Sequence, residues 1–142
     1  MTASSENRFD MELHMVHKNS HNGIAVIAIL YKIGRPDSFL SKLMQGLDEE
    51  RDEYETMIGL VNPKRFRFGS RKYFRYMGSL TTPPCTEGVI WTIFDKIRTV
   101  SRKQICLLHT VVHDNAYGNA RPLQALNHRE LLFYKPTHSG RK

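Results

Sequence analysis

Only two cysteines occur in the 142 residues, Cys85 and Cys106, too few for a disulfide framework. No apolar run approaches the roughly 18 residues that a membrane-spanning helix requires. The longest candidate, Ile24 to Ile33, has the length of a strand and contains Tyr31 and Lys32. The opening MTASSENRFD has neither a basic region nor a hydrophobic stretch, so no signal peptide is expected there. Internal repeats and low-complexity tracts are also lacking. Acidic residues are outnumbered, 14 against 21 Lys and Arg, which leaves a net charge of +7.

A basic balance permits nucleic-acid or anionic-surface partners. Here the charges are scattered, with Lys64, Arg65, Arg67, Arg71, Lys72 and Arg75 as the densest stretch. Phe66, Phe68, Tyr73 and Phe74 interleave with them and offer a stacking surface for single strands. No nucleic-acid motif accompanies the charge. The stretch therefore reads as alternating strand faces with solvated charges, not as a nucleic-acid interface.

What is present is the composition of one soluble globular domain, 40% hydrophobic and 25% charged. MELHMVH (11–17) alternates, which places Glu12, His14 and Val16 on one strand face and Leu13, Met15 and His17 on the other. SHNG (20–23) is a turn signal, and IAVIAILYKI reads as a largely buried strand, so the two form a hairpin. Gly34 to Asp37 punctuates the chain. Asp37 or Ser38 then caps a helix with Phe39, Leu40, Leu43, Met44 and Leu47 at helical spacing. DEERDEYE (48–55) is a solvated linker or the polar end of that helix. Lys72–Tyr76 is a candidate short strand, LTTPPC (80–85) a loop with two backbone donors removed, and GVIWTIF (88–94) a strong strand. Ser101 and Gln104 form a capping box at the start of a helix whose stripe is Ile105, Leu108 and Val112. Cys106, in an apolar run, reads as a small buried hydrophobe. A last short strand is expected over Glu130–Tyr134.

Three segments together resemble one family, the α-type carbonic anhydrases, with phrasing closest to plant members. ELHMVH (12–17) is similar to the strand bearing the family's last zinc histidine. YMGSLTTPPCTEGVIWTIF (76–94) is similar to its active-site loop and following strand, and NARPLQALNHR (119–129) to its C-terminal signature. GIAVIAILYKIG (23–34) fits as well. The resemblance implies zinc held by histidines with one coordination position open, the arrangement for which carbonic anhydrase is itself the standard example. It implies carbon dioxide and bicarbonate as substrates. His14 would be one zinc ligand, and Glu12 would accept the second imidazole N–H and fix the tautomer. Thr81 would be the residue whose hydroxyl orients the attacking hydroxide, with Thr82 on the bicarbonate side. Val16, Val26, Leu80, Val89 and Trp91 would line the apolar carbon dioxide pocket. Cys85 would be half of a disulfide whose partner lies upstream in plant members. Taken alone, His14 would pass for a packed histidine, Thr81 for a turn residue and the pocket residues for core.

The resemblance also shows what these residues do not supply. The family's other two zinc histidines stand as His-x-His on the preceding strand, and no histidine precedes His14. The glutamate that receives the threonine proton would fall where Met1 stands. His17 faces away from His14 on a strand, and the other histidines have no ligand pattern. A single imidazole loses the chelate that makes zinc sites tight.

The expected fold is therefore mainly β with peripheral helices at about 37–47 and 101–112, a partial α-carbonic anhydrase fold built on a large twisted mixed sheet. Residues 1–10 form a short lead segment, 11–135 the C-terminal part of the domain and 136–142 a basic tail. The cut sheet leaves an edge open to self-association. The expected function is a truncated zinc lyase, inactive as it stands. The alternative is a carbonic-anhydrase-like binding or storage protein without catalysis. Compartment is not legible, although plant relatives are compatible with plastid or secretory locations.

Overall fold

A computed structural model describes residues 9–47, 68, 70–111 and 119–136. The expected linker at 48–55, Lys64, Arg65 and Arg67 of the dense basic stretch, Val112 and residues 137–142 of the basic tail lie outside them. The described residues form six strands and two helices: β1 (Met11–Lys18), β2 (Ile24–Ile33), α1 (Ser38–Leu47), β3 (Tyr73–Ser79), β4 (Glu87–Phe94), β5 (Arg98–Val100), α2 (Arg102–Val111) and β6 (Leu132–Tyr134). The sheet runs β1-β2-β4-β3-β6, with β5 also on β2. It is mixed: β2 pairs in parallel with β4 and β5, while the β1–β2, β3–β4 and β3–β6 pairs are antiparallel.

The β1–β2 hairpin follows from alternation and a polar turn. Asn19 Oδ1 accepts the backbone N–H groups of His21 and Gly23 at 3.0 and 2.7 Å, so the side chain closes the turn that its position predicts. Asn22 takes the left-handed conformation there, with φ of 60°. The resulting register sets Glu12 against Leu30, His14 against Ala28 and Val16 against Val26. These even-numbered residues of β1 share one face of the sheet.

The two faces carry separate cores. On the odd-numbered face of β1, Ile29, Tyr31, Leu40 and Val100 are buried, with Met11, Leu13, Met15, Phe39, Leu43 and Ile105 packed around them. Helices α1 and α2 cover this face. On the other face, Val26, Ala28, Val89 and Trp91 are buried, with Ile24, Tyr76, Leu80 and Ile93 against them.

A polar network fastens the helices. Asp37 is the cap of α1, its Oδ1 accepting from Phe39 N at 2.8 Å and Leu40 N at 3.1 Å, as a short acceptor at that position should. Its Oδ2 also meets Arg98, 2.6 Å from Nη2 and 2.7 Å from Nε. Ser101 and Gln104 form the expected capping box, Gln104 N to Ser101 Oγ at 3.2 Å and Ser101 N to Gln104 Oε1 at 3.1 Å. Gln104 does more than cap: Oε1 accepts from Asp37 N and Nε2 donates to Asp37 O and Ser41 Oγ. A buried polar residue thus occupies the inward side of α2, with Ile105 and Leu108 half-buried beside it.

Several sequence expectations are corrected. Cys106 is exposed, because the inward face of α2 is taken by Gln104, Ile105 and Leu108 and its neighbour points outward. Strand β3 runs to Ser79, beyond the expected Tyr76, because β4 continues the ladder as far as Gly78 opposite Val89 and, past a bulge, Ser79 opposite Glu87. Strand β6 begins at Leu132, not Glu130, since its pairing partners stop at Arg75. Strand β5 was not expected; three residues of RTV are too few for a periodic signal, and its partner is Tyr31 to Ile33 far away in sequence.

Candidate functional site

The candidate site lies on the even-numbered face of β1. His14 is half-buried on that strand, and Glu12 Oε1 lies 2.9 Å from its Nε2. Spacing of two residues on a strand puts both side chains on one face, which is why they meet. The approach falls outside hydrogen-bond geometry, and Nε2 is buried with no hydrogen-bond partner. A carboxylate beside Nε2 favours the tautomer protonated there, which leaves the Nδ1 lone pair available as an acceptor.

Trp91 fixes the other side of the imidazole. The rings meet edge-to-face, with centroids 4.9 Å apart and planes 79° apart. The register explains the contact: Trp91 lies opposite Val26 in β2, which lies opposite Val16 in β1, one alternation along from His14. Trp91 Nε1 donates to the Ser79 carbonyl at 2.9 Å, so the indole has its polar edge satisfied while its body is 4% exposed. Gly78 makes room for it: a Cβ at Gly78 would stand 3.0 Å from Trp91 Cδ1 and 2.9 Å from Tyr76 Cε2.

The threonine loop begins directly after Ser79. Leu80 N donates to Thr86 O and Cys85 N to Thr82 O, both at 2.9 Å, and Leu80 packs against the Val26–Val89–Trp91 cluster. Thr81 and Thr82 are exposed at the start of this loop. The Pro83–Pro84 peptide is cis, and Cys85 has a positive φ of 58°. Cys85 is half-buried and free. Arg121, from the C-terminal signature segment, clamps the loop by donating from Nη1 to Ser79 Oγ at 2.9 Å and Leu80 O at 3.2 Å.

Tyr76 stacks parallel to Trp91, 6.3 Å away. Its hydroxyl is pushed above the ordinary tyrosine pKa, first by burial and then by the negative charge of Glu12, with Arg129 opposing. The face is thus aromatic and apolar around one imidazole–carboxylate pair.

Of the residues singled out in the sequence, Val26, Leu80, Val89 and Trp91 share one cluster. Val16 stands opposite Val26 in register but is 54% exposed. His17 lies on the opposite face of β1, and His21 is in the turn. Among the described residues, no group of three or more His, Cys, Asp or Glu side chains is arranged to hold a metal ion. Two contributors were missed in the sequence. Gly78 acts by having no side chain beside Trp91, and Arg121 acts across 41 residues; membership of the signature segments was the one available hint for either.

A family model for eukaryotic-type carbonic anhydrase matches residues 3–135. Alpha carbonic anhydrase 7 of Arabidopsis thaliana is 50% identical over 131 residues, covering 91% of this chain and 48% of that protein. A crystal structure of dioscorin complexed with ascorbate superposes with a TM-score of 0.80 at 40% identity, over 94% of this chain and 56% of that one. The α-carbonic anhydrase of Thermovibrio ammonificans, solved with the inhibitor sulfanilamide, gives a TM-score of 0.69 at 34% identity, over 84% of this chain and 52% of that one. The chain spans about half the length of the curated relatives it matches.

Proposed function

The chain belongs to the eukaryotic-type carbonic anhydrase family, and we propose that it supplies one metal ligand, that ligand's carboxylate acceptor and the threonine loop of a zinc lyase for reversible hydration of carbon dioxide. The observation that carries this reading is the His14–Glu12 pair, 2.9 Å apart with His14 Nε2 buried, packed on Trp91 beside an apolar cluster. An apolar wall suits carbon dioxide, which has no charge for a polar pocket to hold. The family is generally zinc-dependent, and zinc would take His14 as one ligand. The described residues do not complete such a site by themselves. These 142 residues alone are therefore proposed neither to bind zinc tightly nor to hydrate carbon dioxide.

Glu12 holds the His14 tautomer and ring direction. Trp91 holds the ring plane and, through Ser79, ties β1 to the loop. Arg121 fixes that loop from behind. Thr81, first after Leu80, is the hydroxyl proposed to orient the attacking nucleophile, and Thr82 the one facing bicarbonate. The test is to join this chain to the N-terminal half of Arabidopsis alpha carbonic anhydrase 7. Glu12→Gln should then weaken zinc binding by about 10–100-fold, as loss of a ligand's acceptor does, while Thr81→Val should lower hydration and leave zinc in place. Unchanged zinc affinity in Glu12→Gln would overturn the assignment.

A second reading, a binding or storage protein without catalysis, is favoured by the likeness to dioscorin solved with ascorbate. Under it, titration calorimetry would detect ascorbate binding by the chain in the absence of zinc, and the joined protein would remain inactive.

A further inference from the structure

Asn22-Gly23 is the one Asn-Gly pair in the 142 residues. It lies in the β1–β2 turn, where both residues are exposed to water. A pair of this kind is able to modify itself. The backbone nitrogen of the second residue attacks the asparagine side-chain carbonyl carbon, and glycine, having no side chain, hinders that approach least. Here the fold requires the glycine. A Cβ at position 23 would stand 2.9 Å from Asn19 Nδ2 and 3.1 Å from Asn19 Oδ1. Asn22 holds a left-handed φ of 60°, which asparagine adopts more readily than most side chains. The turn thus selects two residues that are chemically labile side by side.

The attacking nitrogen is engaged in the closed turn. Gly23 N donates to Asn19 Oδ1 at 2.7 Å, the short end of the N–H···O range. The same oxygen accepts from His21 N at 3.0 Å, and Asn22 N donates to Asn19 O at 3.2 Å. An amide nitrogen attacks only after giving up its proton, and a hydrogen bond to the protonated form opposes that loss.

We propose that Asn22 is a deamidation site kept silent by Asn19, whose side-chain oxygen holds the Gly23 amide proton while the turn is closed. When the turn opens, Gly23 N bonds to Asn22 Cγ and the Cγ–Nδ2 bond breaks. Nδ2 leaves as ammonia, and the proton lost from Gly23 N completes it. Water then opens the succinimide ring at either carbonyl, which leaves aspartate or isoaspartate at position 22. Both products add negative charge to the turn, and isoaspartate also moves a methylene into the main chain. That insertion falls between Asn19 and Gly23, whose N–H···O bond at 3.0 Å extends the ladder beyond Lys18 and Ile24. Deamidation therefore strikes the turn whose register sets His14 against Ala28.

The test is to incubate the 142-residue chain in mildly alkaline buffer, with and without urea. Peptide mass mapping and isoaspartate labelling follow residue 22, and far-ultraviolet circular dichroism follows folding. The folded chain should deamidate at Asn22 at least about threefold more slowly than the chain in urea, the effect of one hydrogen bond. Asn19→Ala should speed the folded chain by about three- to tenfold and leave the rate in urea unchanged. Asn19→Asp keeps an acceptor oxygen for the Gly23 amide and should stay as slow as the parent, which separates the bond from general stability. The urea comparison and Asn19→Asp stand even if Asn19→Ala fails to fold. Equal rates for the parent with and without urea would overturn the proposal, as would no modification of Asn22 in urea. A folded Asn19→Ala as slow as the parent, or an Asn19→Asp as fast as a folded Asn19→Ala, would overturn it as well.

Discussion

The imidazole of His14 and the indole of Trp91 meet edge-to-face at 4.9 Å, although 77 positions separate them, and the contact depends on what is absent at Gly78. Replacing Gly78 by alanine would place a methyl 3.0 Å from Trp91 Cδ1, closer than packed carbons come. Overpacking of this kind costs about 1–3 kcal/mol. Trp91 is the chain's one tryptophan, so fluorescence reports it alone. Gly78→Ala should lower the urea midpoint and shift the emission, and His14 ring resonances should move with it. An unchanged midpoint and spectrum would mean that the close approach is not a constraint.

Asp37 holds three elements at once: the N-terminus of α1, the Arg98 guanidinium from β5 and, through its backbone, Gln104 of α2. Its side chain is nearly buried, 3% exposed against 19% for Arg98. Removing one partner of such a pair strands the other, at about 3–5 kcal/mol, and the lost cap adds about 1 kcal/mol. Asp37→Ala should therefore destabilise far more than Ser101→Ala, which loses a cap alone. Equal effects in urea unfolding would contradict this account.

Tyr31 gives the fold an alkaline limit. Burial pushes its hydroxyl up to about 12, the Asp37 carboxylate adds to the rise, and Arg98 opposes it. The guanidinium opposes the rise first through its charge and then through its approach to the hydroxyl, which has no partner in good hydrogen-bond geometry. The folded state keeps this proton when the unfolded chain, with an ordinary tyrosine near 10, has lost it. The contribution is fully present below about pH 10 and falls away as pH rises toward 12, at no more than about 1.4 kcal/mol per pH unit. Tyr31→Phe should flatten this part of the stability–pH curve and cost little at pH 7, because no strong hydrogen bond is lost. An unchanged alkaline slope would show that another group sets it.

The elements legible in the sequence are those with a local cause. The period-two pattern of MELHMVH and the Asn-Gly turn place Glu12, His14 and Val16 on one face, and Ser101 with Gln104 marks the start of α2. Of the family segments, 12–17 lies on β1 and 76–94 spans the end of β3, the loop after it and β4, whereas 119–129 lies in irregular chain before β6. What escaped depends on partners distant in sequence. The inward role of Gln104 comes from Asp37, 67 residues earlier, and Cys106 points outward because Gln104 occupies the face that hydrophobicity alone assigns to an apolar run. Strand β5 exists because β2 extends past β4 and leaves Tyr31 to Ile33 a second partner.

The most direct test of the account is the zinc content and activity of the 142-residue chain. Among the described residues, His14 is the histidine that packs on Trp91 of the apolar cluster, and losing two inner ligands should cost more than the about 10–100-fold lost with a single outer partner. The purified chain should hold far less than one zinc per molecule by elemental analysis, and stopped-flow assays should show no hydration above background. Joined to the N-terminal half of a relative, it should hold one zinc and hydrate carbon dioxide, and His14→Ala should abolish both. Stoichiometric zinc in the chain alone, with hydration that disappears in His14→Ala, would contradict the account.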